Sequence, residues 1–508
     1  MITDPIAQGI QGGWQVHGGQ ALQEQTLSFD VIIVGSGAGG GVSAEALVKA
    51  GRKVALVEMG PLKSSNDFNM DEAQAYGDLY QDNALRQSSD GAISILQGRA
   101  VGGSTLVNWT SSFRTPPQTL AHWQRLGVDL GDMAPWFAKM EARLNIQPWT
   151  VPPNANNAAL ARGCQALGLH HGTIARNVFG CWNLGYCGMG CPTNAKQSML
   201  VTTIKEALAG GLTLFHSCPV EQLLVEKGQV RGLKAGRLTL LADKVVLCAG
   251  AIGTPALLLR SGLEDDAGRT GAGTCLHPVV MSFAQFDDKV EPYLGAPQSV
   301  YSDHFQWLEP EQGFKMEALP LHPMITSALL RRRGPDLKAL LSQLPYTNGL
   351  IALVRDGFSA ALPGGRVSLD ADGQPQLDYP LNDALFDLFA TALKTMMRVQ
   401  IAAGARRLMP LHLDAEPWTA DEALAKLDNL PMVAQRLAIS SAHVMGGCAM
   451  GTSPESGVCD TQGRHYGVKG LLVNDGSLFP TSIGANPQLS IYALAARNLN
   501  LWLEKGYV

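Results

Sequence analysis

The stretch that most constrains this chain lies near its start. Asp30-Val-Ile-Ile-Val34 is a short, β-branched apolar run, as a strand buried on both faces requires. Gly35-Ser-Gly37-Ala-Gly-Gly40 follows at once, residues 42–50 read as a helix, and residues 53–57 read as a second strand ending at Glu58. Strand, glycine turn, helix and strand in this order describe a parallel βαβ unit whose turn receives a dinucleotide. Gly35 permits the tight turn, Gly37 lets a pyrophosphate approach the backbone, and Gly40 lets helix and strand pack closely. The helix N-terminus then faces the phosphates, and Glu58 stands where it can accept hydrogen bonds from an adenosine ribose. The motif alone does not separate FAD from NAD.

Composition narrows the classes around this unit. At roughly 150 residues per domain, 508 residues suggest about three domains or two larger interleaved ones. With 46% hydrophobic and 16% charged residues the chain is globular rather than disordered. Lys+Arg 39 against Asp+Glu 44 gives a net charge of −5, which offers no basic excess for nucleic acid. The sequence carries neither a signal pattern nor an apolar run long enough to span a membrane, so a cytoplasmic protein is expected. Nine cysteines are too sparse for a disulfide scaffold.

A second glycine cluster, Gly98-Arg-Ala-Val-Gly102-Gly103-Ser104-Thr-Leu-Val-Asn108, is another place where backbone can lie against a ligand. Ser104 adds a hydroxyl, and Asn108 an amide with donors and an acceptor. A third stretch is Gly250-Ala-Ile-Gly-Thr-Pro255-Ala-Leu-Leu-Leu-Arg-Ser261-Gly262-Leu263. Towards the C-terminus, Ser441-Ala-His443-Val-Met-Gly446-Gly447 is a glycine-rich loop around one histidine. Gly470-Leu-Leu-Val-Asn-Asp475-Gly476-Ser477 reads as a strand meeting a turn, and Gly484-Ala-Asn486-Pro487 opens a helix, with Asn486 expected at its N-cap and Pro487 in its first turn.

Together these stretches resemble the glucose–methanol–choline (GMC) flavin oxidoreductases, over residues 30 to 500. They are nearest the cholesterol oxidase and long-chain alcohol oxidase branch. The resemblance departs at Glu264, where the family's second signature has glycine. It implies an α/β fold, α+β overall, with a discontinuous Rossmann-like FAD-binding domain at 28–115, 200–281 and 441–508. A connecting region would follow at 116–199, and an inserted substrate domain on an antiparallel sheet flanked by helices at 282–440. It also implies FAD rather than NAD, with Val220, Ala249, Gly250, Asp475, Gly476, Asn486 and Pro487 joining the two glycine clusters at the cofactor. Some relatives attach FAD through a histidine just before the position of Asn108. Val107 stands there without a nucleophile, so non-covalent FAD is expected.

Oxidising an alcohol with a flavin needs a base or hydrogen-bond partner for the hydroxyl proton and a second group fixing the oxygen. The resemblance places these roles on His443 and Asn486. It favours an apolar or bulky alcohol, with oxygen, a quinone or a redox protein as electron acceptor. A flavin electron carrier without alcohol chemistry is the reading outside catalysis, but it would need no enclosed substrate domain, and about 150 residues are read as one.

Cys181-Trp-Asn-Leu-Gly-Tyr-Cys187-Gly-Met-Gly-Cys191-Pro192 stands apart. Three cysteines in one compact loop have the chemistry to ligate an iron–sulfur cluster. They resemble the [3Fe–4S] loop of bacterial FAD glucose dehydrogenases, which would make the protein a sugar dehydrogenase with an electron relay. Cluster ligands and structural thiols both stand as readings. In the substrate region, residues 365–370 and 375–379 read as paired strands forming a wall of the pocket, and residues 383–404 as a long helix. Leu337, Leu340, Leu341 and Leu344 recur at helical spacing beside Arg331-Arg332-Arg333, which fits a helix packed inward, peripheral membrane contact or a lid over apolar substrates.

Overall fold

The computed structural model describes residues 2–308 and 312–508. Val31–Val34 is a fully buried strand, which its unbroken β-branched run demands. Among the described residues it lies inside a six-stranded sheet, in the order Gln15–Gly18, Thr213–His216, Val54–Val57, Val31–Val34, Val245–Leu247 and Leu471–Val473. Every neighbouring pair is parallel. The strands come from the beginning, middle and end of the chain, so one nucleotide-binding layer is assembled from distant segments. Gln15–Gly18 adds an edge strand from before residue 28.

The helix after the first glycine turn runs Ala38–Lys49, four residues earlier than the sequence reading began it. Its three consecutive glycines stay helical because each fills a space closed to a side chain. A Cβ on Gly39 would fall 1.7 Å from the Asn474 carbonyl oxygen, and one on Gly40 1.9 Å from that of Gly35. This helix packs against the C-terminal helix Gln488–Glu504 over the sheet.

A second sheet is largely antiparallel and has its own apolar core. Val279–Gln285 pairs with Thr347–Val354 on one side and Arg407–Pro410 on the other, and Phe314–Ala318 lies beyond Thr347–Val354. The helix Asp383–Ala402 packs on this sheet, with the Asn382 side chain accepting from the Leu385 amide at its start. The pairing of Gly365–Leu369 with Pro375–Asp378 is as the sequence suggests. That hairpin, however, joins Ala272–Thr274 in a separate three-stranded sheet. The large sheet lines the pocket through Val279, Met281, Ile351 and Leu353, and the hairpin reaches it at its turn, through Asp372, Gly373, Gln374 and Pro375.

Leu337, Leu340 and Leu341 sit half-buried on the helix Gly334–Ser342 and pack against the second core. Arg331 and Arg332 beside them donate to main-chain carbonyls of Gln435, Leu413 and Ala415. This face is therefore turned inward. Among the described residues no helix is long and apolar enough to cross a membrane.

Candidate active site

The carboxyl ends of the parallel strands open into a cavity of about 950 Å³ that continues across to the second sheet. Its floor is made where two glycine motifs meet. Gly103 has φ +54, and a Cβ there would stand 2.7 Å from Gly37 Cα. Gly37 and Gly103 therefore approach backbone to backbone, and no side chain covers the floor. Gly35, Ser104, Asn108, Val220, Ala249, Gly250, Gly476 and Pro487 also line the cavity. Gly40 and Gly102 do not. Gly40 is a packing glycine, and Gly102 bends left-handed with its amide donating to Ser36 Oγ at 2.9 Å.

Glu58 lines the same end but already serves the protein. Its Oε2 accepts from the Ser36 amide (3.0 Å) and hydroxyl (2.6 Å), and its Oε1 accepts from the Gly60 amide (2.8 Å). Burial raises its pKa, and these donors work against that rise. The carboxylate thus holds the glycine turn in shape as well as facing the ligand space. Asp475 is also buried and spans two motifs. Its Oδ2 accepts from the Gly250 amide and Thr254 hydroxyl, and its Oδ1 from the Ser477 amide and hydroxyl. Asn108 Nδ2 donates to Gln488 Oε1 at 2.7 Å, which anchors the second glycine segment to the C-terminal helix.

These features fit FAD. The floor is bare backbone, helix starts face it, and a buried carboxylate sits at the end of the second strand.

His443 and Asn486 face the cavity on the side of the second sheet. Asn486 does not cap the final helix, whose N-cap is Pro487. Its amide is drawn instead to two charged residues. Oδ1 accepts from Lys315 Nζ at 3.0 Å, and Nδ2 donates to Glu317 Oε2 at 3.2 Å. Lys315 and Glu317 form a buried ion pair of 2.9 Å, and Glu317 lines the cavity. His443 Nδ1 lies 3.2 Å from His277 Nδ1, whose Nε2 accepts from the Gly484 amide at 3.0 Å. Removal from bulk water holds the His443 pKa down to about 4; Glu317 opposes the shift and Lys315 adds to it. Burial likewise pushes His277 well below the usual imidazole value.

Sequence reading missed Lys315, Glu317 and His277. A signal was present for the first two. Phe314-Lys-Met-Glu-Ala318 is a wholly buried strand whose two charged residues are two apart, and so on one face.

Each of the three cysteines of the loop accepts a hydrogen bond from a neighbour. Cys181 Sγ accepts from the Asn183 amide, Cys187 Sγ from Arg176, and Cys191 Sγ from the Lys196 amide. Among the described residues no group of three His, Cys, Asp or Glu side chains is arranged to hold a metal ion. The loop also has a structural task. Buried Lys196 donates from Nζ to the carbonyls of Leu106, Asn108 and Cys187, tying the loop to the second glycine segment.

Comparison with known proteins agrees with this geometry. The GMC oxidoreductase family models match residues 76–279 and 362–495. Long-chain-alcohol oxidase FAO4A of Arabidopsis thaliana is 30% identical over 92% of this chain, which spans about two thirds (68%) of that relative's length. A cholesterol oxidase of Acinetobacter baumannii is 24% identical, covering 93% of this chain and 94% of its own. Among solved structures, an Aspergillus oryzae formate oxidase superposes with a TM-score of 0.71 at 16% identity. It covers 95% of this chain and 100% of its own, a likeness of fold alone.

Proposed function

The chain belongs to the GMC oxidoreductase family, and from that premise we propose that it oxidises an apolar or bulky alcohol to an aldehyde or ketone with non-covalently held FAD. The observation that carries this reading is one continuous cavity. Its glycine floor suits the cofactor, His443, Asn486 and Glu317 face it together, and its far wall is apolar. Bound FAD supplies the hydride acceptor, flavin N5. His443 and Asn486 hold the substrate oxygen and so aim the carbinol C–H. Glu317 is the carboxylate of this group and accepts the hydroxyl proton.

Val279, Met281, Leu319, Leu329, Ile351 and Leu353 supply an apolar chamber for the carbon skeleton. Such a lining binds alkyl or ring carbon better than a sugar, whose hydroxyls would lose water without gaining partners. The long-chain-alcohol oxidases among the relatives support oxygen as the electron acceptor. Val107 offers no atom for covalent flavin attachment, so denaturation should release the cofactor intact.

The test is anaerobic bleaching of the bound flavin by a panel of 1-octanol, 1-hexadecanol, a sterol, benzyl alcohol and glucose. Bleaching by the apolar members is expected. Bleaching by glucose alone would contradict the substrate class, and bleaching by none would contradict the reaction.

A further inference from the structure

We infer that His277 and Lys315 are positioning residues that set the hydrogen-bond polarity of the site, so that His443 and Asn486 both present N–H groups to the substrate oxygen. This rests on the function proposed above and adds what each group on the oxygen can do.

For the asparagine, its two partners decide the matter. A lysine ammonium only donates and a carboxylate only accepts, so an amide held between Lys315 and Glu317 has one permitted orientation. Oδ1 is consumed by Lys315, and Nδ2 spends one hydrogen on Glu317. Among the described residues the second Nδ2 hydrogen has no protein acceptor, and Asn486 lines the cavity. Lys315 is itself fixed. Its ammonium lies 3.0 Å from the centroid of the Phe113 ring and 4.8 Å from that of Tyr301, and the side chain is 3% exposed.

For the histidine, the order is set from the main chain. The Gly484 N–H can only donate, so His277 Nε2 carries a lone pair. The neutral His277 ring then bears its hydrogen on Nδ1 and donates it to His443 Nδ1. His443, neutral for the reason given above, must hold its own hydrogen on Nε2. That nitrogen lies on the far side of the ring from His277. Because His443 and Asn486 both line the cavity, two N–H donors are available to one substrate oxygen. They favour the charge that develops there as the proton leaves for Glu317.

The test is a ligand that can only accept. Calorimetric titration of the FAD-loaded protein with 2-octanone is compared with 1-chlorooctane, which has the same chain length but a poor acceptor. The wild type should prefer the ketone. Lys315→Met and His277→Phe should each lower that preference roughly two- to ten-fold, as loss of one neutral hydrogen bond implies. The affinity for chlorooctane should be little changed, and Lys315→Arg should restore the preference. Equal weakening of both ligands, or a wild type without preference, would overturn the inference.

Should a variant fail to retain flavin, nitrogen NMR of the histidine-labelled wild type decides the matter. His443 should be protonated at Nε2 and not at Nδ1, and the reverse tautomer would overturn the inference. A wild type that no alcohol bleaches would remove the proposed function while leaving the tautomer result readable.

Discussion

Asp475 ties two distant parts of the cofactor site together, and its replacement gives a calculable loss. The carboxylate is 5% exposed and accepts four hydrogen bonds. Two come from main-chain amides, Gly250 at the start of the helix Gly250–Arg260 and Ser477 in the turn after Leu471–Val473. Asp475→Ala leaves the buried Ser477 amide and the part-buried Gly250 amide without this acceptor, while the Thr254 and Ser477 hydroxyls can rotate to other partners. At about 1–3 kcal/mol for each orphaned donor, the expected cost is about 2–6 kcal/mol. Against a typical total of about 5–15 kcal/mol, this approaches loss of the fold. Asp475→Asn is a sharper test because it keeps the shape. Its one carbonyl oxygen serves only one amide, and its NH₂ then faces the other donor, so at least half of the loss should remain. Urea unfolding at pH 7, followed by tryptophan fluorescence, measures the stability; flavin co-eluting with the protein measures the site. An Asn variant within about 0.5 kcal/mol of the wild type, with full flavin, would refute the reasoning.

Other outcomes can be checked alongside. Gly103→Ala would place a Cβ 2.7 Å from Gly37 Cα at a left-handed φ, so it should abolish flavin retention; equilibrium dialysis with FAD reads this directly. His322 and His465 are buried, and desolvation holds each near pKa 4. Both bind protons more readily when unfolded, so stability should be full above about pH 6.5 and fall as pH drops towards 4. Each can contribute up to about 3 kcal/mol, and urea midpoints across this range in the double variant His322→Gln/His465→Gln should fall less steeply. Glu72 accepts from the Met324 and Ile325 amides at the start of Pro323–Leu330, a helix that lines the cavity. Glu72→Ala should cost about 1 kcal/mol and speed amide exchange across 323–330, with KM for long alcohols rising more than kcat falls.

The sequence was most legible where local chemistry dictates backbone. The glycine turn at 35–40, the hairpin after Gly365 and the helix capped by Asn382 follow from φ freedom, alternation and capping. What it concealed was set by tertiary partners. Asn486 before Pro487 looks like a helix cap, yet Lys315 and Glu317 from a remote strand claim its amide. His277 carried no motif of its own, and its meaning comes from Gly484, 207 residues later.

The central claim is that hydride leaves a carbinol carbon held at His443 and Asn486. Its most direct test is anaerobic stopped-flow reduction of the bound flavin by 1-dodecanol and by its C1-dideuterated form. The account predicts rapid bleaching, a several-fold slower reaction with the deuterated alcohol, and loss of at least about a hundredfold in rate for His443→Ala. Bleaching that is insensitive to deuterium at C1, or unchanged in the His443 variant, would contradict it.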